Sequence, residues 1–265
     1  MRDAADPWTA AVRLHALIGH AIEVHERIGS TNDRARDLLV MPGGPGSVVI
    51  AEEQVAGRGR RGRTWQSPPG RNLTFSVPMH PRLAAVDGWQ LGLAVGLAVH
   101  GACAALDPSV ALKWPNDLVA SEGRKLGGLL IETVIDGERL SGAVVGIGLN
   151  VNWRRDEMPA ELAASATSLA DLIRADVDRV ALLSSVLDGL ERELAAVEAG
   201  WSPLVRYRAV CATLGAFVSV ETQAGRVEGR ATEVDDTGAL VVETSAGRIP
   251  VTGGDVEMVS RMVRA

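Results

Sequence analysis

The highest density of side chains suited to ligand chemistry lies at residues 57–63, where four arginines and three glycines fill seven consecutive positions. Arginine presents a planar, permanently charged fork that matches phosphate or carboxylate, and glycine lets backbone amides approach a ligand closely. The formal net charge of the chain is −6, so this excess of positive charge is local. We name residues 55–65 the arginine loop and predict that it binds an anion, with phosphate as the leading candidate.

Two nucleotide-binding motifs match the arginine loop in spacing only. Its glycines fit G-x-G-x-x-G, and the loop also approaches a Walker A motif, in which Arg63 replaces the required lysine. Both motifs need a helix directly behind the loop, and Pro68, Pro69 and Gly70 exclude a helix of useful length there. The sequence therefore predicts a strand, a loop and a strand. The alternatives are a solvated surface loop and an RNA-binding arginine-glycine segment.

Three further segments carry residue types suited to a charged ligand. The sequence KWPND (113–117) presents a cation, an amide and a carboxylate together, although it is also ordinary turn chemistry. In KLGG (125–128), glycines follow a lysine at the start of a strand. The glycines of GIGLN (146–150) leave one strand face without side chains, which suits either a ligand or close helix packing.

The composition favours a globular enzyme over a protein that coats nucleic acid or a membrane. The length of 265 residues suits two domains, or one large domain with an appendage. A pI near 5.5 argues against a generally basic surface. Cys103 and Cys211 fit buried thiols in a reducing cytosol, although spacing alone leaves a disulfide open. Without a signal peptide or spanning segment, we expect a soluble cytoplasmic protein.

The pattern of elements that must position these residues predicts an α+β fold. We expect a short helix at 8–20, a helix at 33–40 capped by Ser30 or Thr31, a buried helix at 89–106, and amphipathic helices at 179–198 and 204–212. Strands are predicted at 23–28, 48–53, 72–77, 110–114, 117–120, 125–134 and 140–151. Several successive strands after one helix indicate a mixed or antiparallel sheet.

The pattern changes after Leu214 to short alternating strands separated by turns, which predicts a small appended β-barrel. We therefore place one domain at residues 1–213 and a second at residues 214–265. The five histidines show no metal-ligand spacing.

Five segments in the same order resemble the motif series of bacterial biotin protein ligases. They are GSTN (29–32), QVAGRGRRGRTW (54–65), KWPND (113–117), KLGG (125–128) and GIGLN (146–150). The resemblance covers residues 22–262 and implies a class II synthetase-like mixed sheet with helices packed on one side, plus an SH3-like C-terminal domain. Only 29 residues precede Ser30, so we expect the monofunctional type, which lacks an N-terminal DNA-binding domain.

The resemblance implies ATP-dependent activation of biotin to biotinyl-5′-AMP with release of pyrophosphate. Transfer of biotin to a lysine of a biotin carboxyl carrier protein follows. ATP and biotin are then substrates, and Mg²⁺ is held through the ATP phosphates without a direct protein cage. We expect no DNA or membrane partner, and a monomer or weak homodimer.

The resemblance also implies individual roles. Biotin would contact Ser30, Thr31, Asn32, Gln54, Arg58, Gly59, Arg60, Trp65, Lys125, Gly146 and Gly148. ATP or the adenylate would contact Arg58, Arg60, Arg63, Asn116, Lys125 and Asn150. The catalytic residues implied are Lys125, bridging the biotin carboxylate and the α-phosphate, Arg60, and Asp117, which would help to deprotonate or orient the carrier lysine or be a structural carboxylate. Arg61 is expected to point away.

Two rival functions remain at this point. A lipoate protein ligase shares the fold and the acyl-adenylate chemistry, although the arginine loop and KWPND favour biotin. An RNA-binding protein would use the arginine loop and the small barrel, but that barrel is rich in acidic residues and Phe217 is its only aromatic residue.

Overall fold

The computed structural model describes residue 8, residues 18–120 and residues 123–259. The helix predicted at 8–20 lies largely outside these residues. Up to residue 209 the elements are β1 (Ile22–Ile28), α1 (Thr31–Leu39), β2 (Val48–Gln54), β3 (Leu73–Met79), α2 (Trp89–Ala104), β4 (Ala111–Lys113), β5 (Asp117–Val119), β6 (Lys125–Asp136), β7 (Arg139–Leu149), α3 (Ala160–Ala163), α4 (Leu169–Ile173), α5 (Arg179–Glu198) and α6 (Leu204–Ala209). The strands predicted here are all present with slightly shifted ends.

The first seven strands form one mixed sheet in the order β1-β2-β3-β7-β6-β5-β4. Strands β1 and β2 are parallel, and the other neighbouring pairs are antiparallel. The parallel pair is linked through α1, because parallel strands need a crossover connection. The mixed sheet predicted from the order of elements is confirmed.

The two faces of this sheet carry different layers. Val145 and Ile147 of β7 belong to the large core that includes α2 and α5. Val144, on the opposite face, packs instead with Leu38 and Leu39 of α1. The main helical layer therefore covers one face, and the short α1 covers part of the other. Since side chains alternate along a strand, Gly146 shares the α1 face with Val144.

The last part of the chain forms a five-stranded antiparallel sheet in the order β11-β10-β9-β8-β12. Its strands are β8 (Phe217–Thr222), β9 (Gly225–Val234), β10 (Leu240–Thr244), β11 (Gly247–Val251) and β12 (Asp255–Met258). Trp114 donates its indole N–H to the Gly238 carbonyl oxygen at 3.0 Å, and Arg208 donates to the Val234 carbonyl oxygen at 2.7 Å. These contacts fix the small sheet beside the KWPND segment.

The two cysteines are free, buried thiols, as predicted. Burial raises the pKa of the Cys103 thiol to about 12, so this group stays protonated and does not act as a nucleophile. None of the helices in the described part of the chain is long and apolar enough to cross a membrane.

Candidate functional site

The arginine loop connects β2 to β3 without opening a helix, as predicted. It is closed on itself by backbone hydrogen bonds from Trp65 N to Gly57 O at 2.9 Å and from Gly59 N to Arg63 O at 2.7 Å. A single 3-10 turn lies at its tip, at Arg60–Gly62. Arg61 has a φ angle of 54°, in the left-handed region that non-glycine residues rarely adopt.

A cavity of about 360 Å³ lies between the arginine loop and the α1 face of the sheet. Every residue predicted for the site lines it. These residues are Ser30, Thr31, Asn32, Gln54, Arg58, Gly59, Arg60, Arg63, Trp65, Asn116, Asp117, Lys125, Gly146, Gly148 and Asn150. Their proximity follows from the fold, and their individual roles remain predictions.

One end of the cavity is lined by hydroxyl and amide groups at the start of α1. The Thr31 backbone N–H and hydroxyl donate to Gln54 Oε1 at 2.7 Å and 3.1 Å. Ser30 occupies the N-cap position of α1, but its side chain makes no cap hydrogen bond. Ser30 is therefore at the predicted N-cap position, but the capping hydrogen bond expected from its side chain is absent.

The Asn32 carboxamide is fixed from several sides and is almost completely buried, with 4% of its surface exposed. Its Nδ2 donates to Glu132 Oε2 at 2.7 Å and to the Leu130 carbonyl oxygen at 3.3 Å. Its Oδ1 accepts from the Ser76 hydroxyl at 2.6 Å. This donor and acceptor pattern assigns the orientation of the amide.

The two glycines of β7 make room for polar and aromatic side chains of the cavity. A Cβ on Gly148 would lie 2.6 Å from the Trp65 ring, and one on Gly146 would lie 2.1 Å from Asn32 Oδ1. Both are well below the closest separation that real Cβ atoms tolerate. The bare strand face thus seats Asn32 and Trp65 against the sheet.

The opposite end of the cavity is cationic. Arg60 points inward and donates to Asn116 Oδ1 at 2.9 Å, while Asn116 Nδ2 donates to the Leu129 carbonyl oxygen at 2.8 Å. Desolvation lowers the pKa of the Arg60 guanidinium, and the neighbouring Arg61 lowers it further. Arginine nevertheless stays charged at neutral pH, so Arg60 presents a partly desolvated positive charge to the cavity.

Lys125 stands at the first position of β6, beside Asp117. Its Nζ donates to Asp117 Oδ1 at 2.7 Å. Its backbone is hydrogen-bonded to the segment before α4. Lys125 N donates to Ser165 O at 2.8 Å, and Thr167 N donates to Lys125 O at 2.9 Å. Lys125 therefore lines the cavity with its ammonium group beside a carboxylate.

The other three loop arginines lie against acidic or carbonyl groups outside the loop. Arg58 makes a two-pronged contact with Asp33 of α1, at 2.6 Å and 2.9 Å. Arg63 pairs with Asp255 of β12 at 2.5 Å. Arg61 donates to the Glu221 carbonyl oxygen at 3.0 Å and does not line the cavity, as predicted. The loop is therefore held by α1 at one end and by the C-terminal sheet at the other.

A second groove, of about 870 Å³, adjoins the cavity and runs between the two sheets. Arg63, Asn116, Asp117 and Asp255 line both spaces. Lys113 lines only the groove, and desolvation lowers the pKa of its ammonium group against the opposing influence of Asp117. Within the described residues, no group of three or more His, Cys, Asp or Glu side chains could hold a metal ion.

Sequence reasoning missed several residues of the site and its surroundings. The α3 region contributes Leu162, Ser165 and Ala166 to the cavity wall. Asp33 directly follows the GSTN segment, so its position could have drawn attention to it. Asp255 had no such signal, because only the folded chain brings β12 to the arginine loop.

Comparison with known proteins agrees with this geometry. Residues 24–150 match the Biotin/lipoate A/B protein ligase family, and residues 213–259 match the Biotin protein ligase C terminal domain. The chain is 37% identical to the Biotin--[acetyl-CoA-carboxylase] ligase of Mycobacterium tuberculosis over 89% of this chain and 88% of that protein. It is 33% identical to the ligase of the same name from Paracoccus denitrificans, over 87% and 97% respectively.

A solved structure has the same fold. The biotin protein ligase from Aquifex aeolicus in complex with biotin and ATP superimposes with a TM-score of 0.75 at 28% sequence identity. The match covers 89% of this chain and 97% of the other. The similarity therefore extends over most of both chains.

Proposed function

The chain belongs to the biotin protein ligase family, and on that premise we propose that it activates biotin with ATP and transfers it to a lysine of a carrier protein. One observation carries the proposal. A single cavity joins a hydroxyl and amide end, which suits a cyclic urea, to a cationic end, which suits a carboxylate and phosphates. Biotin carries a cyclic urea at one end and a carboxylate at the other, separated by an apolar body, and these groups complement the two ends of the cavity.

In the proposed pose, the ureido ring lies among Ser30, Thr31, Asn32 and Gln54. The apolar body of biotin lies against Trp65 and the glycines of β7. Its carboxylate then points towards Lys125 and Arg60. Hydrogen-bond donors and acceptors fixed before binding cost little reorganisation, which favours a specific fit.

The first step is attack by a biotin carboxylate oxygen on the α-phosphorus of ATP. A new oxygen–phosphorus bond forms, the bond between the α-phosphorus and its bridging oxygen breaks, and pyrophosphate leaves with the electron pair. Two anions must meet, so neutralisation by fixed cations lowers the barrier. Lys125 and Arg60 lie where they can supply that charge, and Arg58 and Arg63 line the same cavity as further cations.

Mg²⁺ bound to the ATP phosphates would neutralise part of their charge. The oxygen atoms of Asn116 and Asp117 lie beside the cationic end, and a hard cation prefers such ligands. Asn116 Oδ1 and Asp117 Oδ1 accept hydrogen bonds from Arg60 and Lys125, and Asn116 would orient the phosphates or the Mg²⁺ that they carry. Phosphates and water would complete the coordination.

In the second step, the amine of the carrier lysine attacks the acyl carbon of the adenylate. A carbon–nitrogen bond forms, the bond to the phosphate oxygen breaks, and AMP leaves. Asp117 borders both the cavity and the adjoining groove. That placement supports Asp117 as the group that orients the incoming amine or accepts its proton, and it supports the groove as the path of the carrier lysine.

We place the catalytic domain at residues 1–213 and the C-terminal domain at residues 214–265, and we expect the protein to act in the cytoplasm as a monomer or weak homodimer. We expect a biotin carboxyl carrier protein, and not DNA, as the macromolecular partner. Sedimentation, cell fractionation and a gel-shift assay test these points separately.

ATP–pyrophosphate exchange tests the choice of acid. We expect exchange of labelled pyrophosphate into ATP when biotin is added, and none when lipoate replaces it. Exchange with lipoate alone would assign the chain to the lipoate branch of the same enzyme class.

A further inference from the structure

A series of contacts between oppositely charged side chains, called here the chain of contacts, runs over the surface from the arginine loop to the buried Asn32. It starts at Arg58, whose guanidinium contacts both Asp33 oxygens. Asp33 Oδ1 also accepts from Arg36, one turn further along α1, at 3.2 Å. A loop arginine is thereby joined to the helix that begins at the predicted biotin-binding residues.

The same chain continues from α1 to β6. Arg36 Nη2 pairs with Glu132 Oε1 at 2.5 Å. The other oxygen of this carboxylate, Oε2, accepts from Asn32 Nδ2 at 2.7 Å. Glu132 is therefore the group that both receives Arg36 and orients the Asn32 carboxamide.

We propose that Asp33, Arg36 and Glu132 are positioning residues that couple closure of the arginine loop, defined as formation of the Arg58–Asp33 contact with α1, to the orientation of the Asn32 carboxamide. None of the three lines the cavity, so they act through Arg58 and Asn32. The proposal rests on the proposed function for one point only, that Asn32 holds the ureido ring of biotin.

The strength of these contacts suits a reversible closure. The Arg58 and Asp33 side chains are 40% and 48% exposed, and exposed ion pairs contribute little individually. Such a contact can form and break as a loop closes and opens. By linkage, if biotin favours the closed loop through this chain of contacts, then closure strengthens biotin binding by the same factor.

Arg36 is the informative link, because it touches neither the loop nor Asn32. Substitution Arg36→Gln leaves the Arg58–Asp33 pair and the Asn32–Glu132 hydrogen bond in place and removes only the connection between them. Arg34→Gln is the matched control. It makes the same change of charge on the same helix, but Arg34 pairs with Glu23 of β1, outside the chain of contacts.

Trypsin reports loop opening directly, since the loop contains four arginines. The full-length chain is digested with and without saturating biotin, the rate of cleavage within residues 58–63 is followed by mass spectrometry, and the biotin Kd is measured by calorimetry. We expect biotin to slow cleavage in the unsubstituted protein. In Arg36→Gln, we expect the biotin Kd to rise about two- to fivefold and the protection by biotin to weaken by the same factor.

A second variant tests the loop end without any ligand. Asp33→Asn should raise ligand-free cleavage within the loop about two- to fivefold, while Arg34→Gln leaves cleavage and Kd at the values of the unsubstituted protein. Unchanged cleavage in Asp33→Asn, or unchanged Kd and protection in Arg36→Gln, would overturn the coupling. Failure of the unsubstituted chain to bind biotin would instead overturn the proposed function, and the ligand-free comparison would still decide the loop contact.

Discussion

A Cβ atom on Gly146 would lie 2.1 Å from the carboxamide oxygen of Asn32. The absence of a side chain on one strand is therefore what lets a helix residue place its amide at the floor of the cavity. Since Asn32 is also held by Ser76 and Glu132, it cannot move aside without losing buried hydrogen bonds. The glycine acts on the ligand site through the amide that it accommodates.

This relationship predicts that Gly146→Ala displaces Asn32 and weakens biotin binding about tenfold or more, because a buried hydrogen-bond network of this kind is costly to break. Calorimetric titration with biotin measures the effect. Gly101→Ala is the control, since a Cβ at this exposed position in α2 meets nothing within 4 Å. Equal biotin affinity in Gly146→Ala and the unsubstituted chain would show that the Asn32 position does not matter.

The cationic end of the cavity predicts that Lys125→Ala and Arg60→Ala each lose most activity, by about 100-fold or more in kcat/KM for adenylate formation. Both variants should remain folded by circular dichroism. Arg27→Ala removes an equally positive side chain of the edge strand β1, which pairs with Glu53 and does not line the cavity, and it should keep full activity. Full activity in both cavity variants would refute the assignment of these cations to the reaction.

The contact between Arg63 and Asp255 predicts that the C-terminal sheet helps to hold the arginine loop. Asp255→Asn should raise the rate of tryptic cleavage in the loop about two- to fivefold, the range expected for partly exposed ion pairs, because Asp255 pairs with Arg63 and, at 3.8 Å, with Arg61. Glu257→Gln, on the same strand, makes the same change of charge without a contact to the loop among the described residues, and should leave the rate unchanged. Identical cleavage rates in the two variants would show that the C-terminal sheet does not hold the arginine loop.

The environment of the Glu52 carboxyl predicts that the free energy of unfolding depends on pH. Burial raises the pKa of its carboxyl, but hydrogen bonds and the charge of Arg179 lower it more, with help from the Gly70 amide, so the pKa lies below its ordinary value of 4.5. A carboxyl with a lower pKa in the folded state stabilises the fold above the unfolded value, and this contribution is lost as the pH falls through the folded pKa.

Glu52→Gln should therefore lower the free energy of unfolding by about 1–3 kcal/mol at neutral pH, and the difference from the unsubstituted chain should shrink below about pH 4.5. Denaturant titrations at several pH values measure both effects. Glu53→Gln is the neighbouring control, with an expected loss below about 1 kcal/mol because its partner Arg27 is exposed. A Glu52 effect that is independent of pH would contradict the ion pair as its cause.

Much of the fold could be predicted from local patterns in the sequence. Helix α5 was predicted with the bounds that the structure shows, Arg179–Glu198, because a long amphipathic repeat can be detected from sequence alone. The structure adds an N-cap, Asp178, whose side chain accepts from the Val180 and Ala181 amides. The loop between β2 and β3 could also be predicted, because prolines exclude a helix behind it. The short helices α3 and α4 were missed, since a few residues leave no periodicity to detect.

The residues of the candidate site were predictable even from distant motifs, because the family resemblance groups these motifs in one site, but the contacts between their side chains were not predictable. Lys125 and Asp117 come from separate motifs, and their 2.7 Å contact depends on the pairing of β5 with β6. The partners of Arg58 and Arg63 were not foreseen, because Asp33 and Asp255 lie on α1 and on a strand of the second sheet. Side-chain pairing across elements depends on tertiary geometry that periodicity does not encode.

Transfer of biotin to a carrier protein tests the proposed ligase activity. The purified chain is incubated with biotin, ATP, Mg²⁺ and an unbiotinylated biotin carboxyl carrier protein, and the carrier is then probed for biotin. We predict labelling of the carrier that requires ATP and is lost with Lys125→Ala. A carrier that stays unlabelled with the folded, unsubstituted chain, or labelling that persists without ATP, would contradict the proposed function.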